Sequence, residues 1–67
     1  MDDAKLDALI ATLRRWFDEE EALMRSYQAK SDQRWACYHN GVANGYLVAL
    51  SNLISIREGK PCPAVPA

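Results

Sequence analysis

The chain has 67 residues, 49% of them hydrophobic, with a formal net charge of −1 and a pI near 5.7. A chain this short makes one domain at most and buries only about 60% of the surface its unfolded form exposes, so a staple, a metal or a second chain is the usual aid to stability. The apolar content excludes an acidic disordered tail, the near-neutral charge argues against a dedicated nucleic-acid binder, and two cysteines, Cys37 and Cys62, are too few for a disulfide framework or a four-ligand zinc site.

The opening residues, MDDAKLD, are acidic and lack the basic and apolar regions of a signal peptide, so a cytoplasmic protein is expected. Residues 3 to about 29 read as one amphipathic helix. Leu6, Leu13 and Tyr27 share one heptad position, Leu9, Trp16 and Leu23 a second, and Ile10, Phe17 and Met24 a third. Together they predict a broad core-facing stripe. Asp2 and Asp3 stand at its start, where the helix dipole favours negative charge. Glu20 interrupts the stripe in its middle. The run Asp18-Glu19-Glu20-Glu21, with Arg14, Arg15 and Arg25 nearby, is otherwise a solvated face carrying weak i,i+4 and i,i+3 pairs, with docking onto a basic partner as its functional alternative.

The segment KSDQRW carries the break. Ser31 or Asp32 can cap a new helix, and Lys30 and Arg34 would fall on core positions if the first helix continued. With no Gly or Pro at the break, one long helix is the competing reading. From about 32 to 57, Trp35, Val42, Tyr46, Ala49, Leu53 and Ile56 recur at helical spacing through two Asn-Gly pairs, which predicts a second helix, with a kink near Gly41 as the alternative. Each interior glycine costs roughly 1 kcal/mol relative to alanine. Gly41, Gly45 and Ala49 lie one turn apart and form a ridge that a neighbouring helix can approach closely. Gly59 and Pro61 end the helix. The last residues, 61–67, PCPAVPA, form an extended Pro-rich tail whose Pro63-x-x-Pro66 could serve as a polyproline ligand.

No residue from Trp35 through Ile56 is formally charged when His39 is neutral. A membrane span is rejected, because His39, Asn40, Asn44, Ser51, Asn52 and Ser55 are too many polar groups for a lone helix in lipid. The apolar arc of this helix covers roughly 180° at 100° per residue, more than one neighbouring helix covers. The expected architecture is therefore all-α: an antiparallel two-helix hairpin over 1–60 that dimerises into a four-helix bundle, or a higher even oligomer. Trp35, Tyr38, Gly41, Val42, Gly45, Tyr46, Ala49 and Leu53 are the expected helix-packing and oligomer-interface residues.

With a turn at residues 30–32, Glu20 comes level with Val42, and His39 lies about 4.5 Å away along the axis. Glu20 and His39 are thus expected as a buried polar pair that fixes register. The sharper alternative joins two such pairs in a dimer to bind a metal, though the usual Glu-x-x-His motif is missing. Cys37 and Cys62 are too far apart to pair within one chain and are expected as free thiols. Cys37 and His39, two apart on a helix, point away from each other, which argues against thiol-protease chemistry.

The stretch YHNGVANGYLVALSNLI, residues 38–54, resembles short phage and prophage helical-hairpin proteins, in which Tyr-x-x-Gly precedes small and apolar residues at helical spacing. Tyr38, Gly41, Gly45, Ala49, Leu50 and Leu53 carry the resemblance over about a quarter of the chain. It implies a helical hairpin and transfers no activity and no catalytic residue. The sequence thus predicts a non-enzymatic interaction module without cofactor, nucleic acid or membrane, self-associating through its uncharged second helix as a small structural or adaptor protein. An inhibitor or regulator seated in a partner's groove, and a metal-binding bundle on Glu20 and His39, are the alternatives.

Overall fold

The computed structural model of the chain describes residues 2–60. The Pro-rich tail, with its proline motif and Cys62, lies outside them. Helix α1 runs Asp3–Ala29 and helix α2 runs Gln33–Glu58, folded back on each other as a hairpin. The single-long-helix alternative is overturned, and α2 passes through both Asn-Gly pairs as continuous helix.

Each helix start is closed by an aspartate. The Asp2 carboxylate accepts the Ala4 N–H at 3.1 Å, and the Asp32 carboxylate accepts the Trp35 N–H at 3.3 Å. Between the helices the chain reverses at Lys30–Asp32. The Ser31 and Asp32 N–H groups donate back to Gln28 and Tyr27 carbonyls at 3.0 and 2.9 Å. Ser31 takes the left-handed conformation, φ 58°, where glycine would be the natural occupant. At the far end Gly59 sits at φ 71°, and the Gly59 and Lys60 N–H groups donate to Ile56 and Ser55 carbonyls at 3.1 and 2.8 Å. This is the left-handed helix stop that the glycine predicts.

Among the described residues Leu6, Ala36, Ala43 and Leu50 are the buried hydrophobic ones. On α2 they recur every seven residues, so the small methyls of Ala36 and Ala43 set one straight seam against α1. Leu13, Tyr27, Ile10, Phe17 and Met24 flank that seam half-buried. The second heptad line of α1 departs from expectation: Leu9, Trp16 and Leu23 remain 38%, 41% and 42% exposed. A single neighbouring helix covers one stripe of about 100°, and the three-position stripe of α1 is wider than that.

Candidate functional site

Glu20 and His39 meet across the seam. His39 Nδ1 lies 2.5 Å from Glu20 Oε2, with the two side chains 13% and 22% exposed. A carboxylate only accepts, so the imidazole Nδ1–H is the donor when Glu20 is ionised. The α1 stripe aims Glu20 inward. The i,i+4 spacing from Trp35 and the i,i+7 spacing to Tyr46 keep His39 on the α1-facing side of α2. Among the described residues no buried side-chain nitrogen or oxygen lacks a partner.

Aromatic rings enclose the imidazole. Tyr27 of α1 stacks on it with centroids 5.4 Å apart and planes 6° from parallel, Tyr38 meets it edge-on at 5.1 Å, and Trp35 lies at 6.3 Å. Tyr27 also stacks on Trp35 at 6.1 Å, and Lys30 Nζ sits 5.5 Å from the Tyr27 ring centre. These contacts tie the turn end of the hairpin together around one polar pair. Offset and edge-on ring pairs add about 0.5–1.5 kcal/mol each beyond their buried area.

The open end of the hairpin is closed by a cluster that the sequence reading did not find. Arg57 Nε donates to Asp7 Oδ1 at 2.9 Å, and its Nη1 lies 3.5 Å from Asp3 Oδ2. The hydrogen bond to Asp7, followed by the charge of Asp3, raises the Arg57 pKa. On α1 itself, Arg25 pairs with Glu21 at 2.8 Å, so of the acidic run Glu21 is a solvated i,i+4 partner while Glu20 turns inward.

The expected interface residues divide by position. Val42, Tyr46, Ala49 and Leu53 are half-buried, while Trp35, Tyr38, Gly41 and Gly45 are exposed. A Cβ added at Gly41 or Gly45 meets nothing within 4 Å, so neither glycine serves packing inside the hairpin. Trp16 reaches over to Tyr46, ring centroids 5.9 Å apart. That contact brings the uncovered α1 line beside the α2 line of Tyr46 and Leu53. The two helices thereby present an apolar face on this side of the hairpin, while Leu47, also exposed, lines the groove on the other.

On the other side, a groove of about 280 Å³ lies between the helices, lined by Phe17, Leu47, Leu50 and Ile54 together with Arg14, Asp18 and Ser51. It contains neither Glu20 nor His39. Among the described residues no three His, Cys, Asp or Glu side chains are grouped to hold a metal ion, and no helix is long and apolar enough to cross a membrane. Cys37 is exposed while His39 points into the seam.

Comparison with protein-family models, with curated proteins and with solved structures gives no match.

Proposed function

We propose that the chain is a non-enzymatic interaction module that self-associates through the face carrying its uncharged second helix, as a small cytoplasmic structural or adaptor protein of the phage-like helical-hairpin kind. The single observation that supports this most is the apolar face itself. Leu9, Trp16 and Leu23 from one helix and Trp35, Tyr38 and Ile56 from the other are large and exposed, whereas four hydrophobic residues are buried among the described residues. Monomeric proteins scatter such residues singly; contiguous patches mark contact surfaces. A two-helix layer has no second layer to cover them, and a second copy supplies one in the four-helix arrangement.

In this reading Glu20 and His39 act as a register lock. The pair lies among stacked rings and outside the 280 Å³ groove, a setting suited to holding two helices in one alignment rather than to turning over a substrate.

Light scattering across a concentration series tests the proposal. A mass of two or more chains that persists on dilution supports it. A well-folded monomer overturns it in favour of an inhibitor or regulator whose open face is filled by a different protein.

A further inference from the structure

The exposed and half-buried apolar residues of this face are spaced with a symmetry of their own. On α1, Leu9, Trp16 and Leu23 recur every seven residues and are centred on Trp16. On α2, Trp35, Val42, Ala49 and Ile56 recur every seven residues and are centred between Gly45 and Tyr46. The 5.9 Å contact between the Trp16 and Tyr46 rings puts the two centres at one level of the hairpin. Both runs therefore map onto themselves when the face is turned half a revolution about an axis through that level.

We infer that two copies pair about a two-fold axis perpendicular to the helices at the Trp16–Tyr46 level, α1 antiparallel on α1 and α2 antiparallel on α2. This inference rests on the self-association reading above and names the arrangement of its partner. In this pairing Leu9 meets the partner's Leu23, Trp16 meets its own copy, Trp35 meets the partner's Ile56 and Val42 meets the partner's Ala49. Gly45 comes opposite the partner's Tyr46. The open space beyond Gly45 is what a ring from the second copy requires.

Charge and area point to a second copy as the occupant. From Trp35 to Ile56 nothing charged is brought together while His39 is neutral. The line bordering the face on α1 is Lys5, Thr12, Glu19 and Ser26, also spaced by seven. Antiparallel pairing sets Glu19 against the partner's Thr12 and keeps the two Glu19 carboxylates about 10 Å apart along the axis. A two-fold axis parallel to the helices would instead set each α1 against the partner's α2, so that neither exposed run would meet its own copy. The face is about 40 Å long and two helices wide, near 20 Å, which gives about 800 Å² per partner, the standard size for a stable complex.

Cysteine crosslinking on the full chain tests the pairing. In a Cys37→Ser, Cys62→Ser parent, Leu9→Cys and Leu23→Cys are made separately, checked for helix content, and oxidised alone and after refolding together. The same is done with Val42→Cys and Ala49→Cys. A disulfide needs Cα atoms within about 7 Å. The arrangement holds like Leu9 or Leu23 positions about 21 Å apart along the axis, and like Val42 or Ala49 positions about 10 Å apart. The expected result is a crosslinked dimer in each mixture and none in any single variant. Crosslinks in the single variants, or none in the mixtures, from a parent of multimeric mass overturn the antiparallel pairing alone. A parent of monomeric mass overturns the self-association reading on which it rests.

Discussion

His39 and Glu20, nineteen residues apart in sequence, meet at 2.5 Å across the seam of the hairpin, under the flat face of Tyr27. Removing either group leaves the other, part-buried, without its partner. Glu20→Ala and His39→Ala are therefore expected to destabilise the fold by about 1–3 kcal/mol each, with helix content retained. The double variant is expected to cost less than the sum of the two. Urea denaturation followed by circular dichroism measures all three, and strict additivity would show that the two side chains do not act as a pair.

The turn offers a change in the opposite direction. Ser31 holds φ 58°, a region that disfavours a residue with a Cβ by about 1–2 kcal/mol. Ser31→Gly relieves that conflict but loosens the unfolded chain, so a net gain of a few tenths to about 1 kcal/mol is expected. Thermal melting at fixed protein concentration reads it. A lower melting temperature for Ser31→Gly would mean that the serine side chain contributes more than its backbone costs.

Arg57 ties the end of α2 to Asp7 and Asp3 at the start of α1. Its pKa is raised by these partners, the Asp7 hydrogen bond first. A group whose folded pKa is raised contributes stability that is fully present below its unfolded value and is lost only as pH rises through the folded one. For a guanidinium that window lies beyond the working alkaline range. Arg57→Gln is therefore expected to lower the melting temperature by an amount that stays constant from neutral to mildly alkaline pH and shrinks with added salt. A deficit that changes across that pH range would point to another titrating partner.

Gly45 separates the hairpin from its assembly. Within one chain a side chain at position 45 enters open space, and replacing a helix-interior glycine gains up to roughly 1 kcal/mol of helix propensity. In the proposed assembly the same side chain collides with a ring of the other copy. Gly45→Leu is expected to lower the solution mass toward one chain, and to lower stability at concentrations where the parent is assembled. Unchanged mass and melting temperature would refute the close-contact role.

How legible this was from sequence differs from feature to feature, and the difference is physical. Caps and stops are local, so Asp2, Asp32 and Gly59 announce the helix ends through short-range backbone chemistry. The meeting of Glu20 with His39 follows from counting residues back from a turn at 30–32, because two straight helices share a rise of about 1.5 Å per residue. The seam itself was hidden. Ala36 and Ala43 carry little apolar area, so Trp35, Val42 and Tyr46 dominate any reading by size, yet close helix approach rewards the alanines and leaves Trp35 outside. The Arg57–Asp7 contact, fifty residues apart, depends on the two helices ending at the same height, which no local pattern encodes. Ser31 in the left-handed region carried no Gly or Pro to signal it.

The small buried core, four hydrophobic residues among those described, has a consequence for how much of this protein a cell must hold. In a molecule with a thick interior, folding is decided within the chain and dilution changes little. Here, if much of the apolar surface is covered only in the assembly, the folded fraction rises in proportion to abundance at low concentration, as it does for any protomer whose partner supplies the missing layer. Melting temperature would then be a property of dose as much as of sequence. A chain made in small amounts would spend more of its time open to proteolysis, and one made in bulk would protect itself.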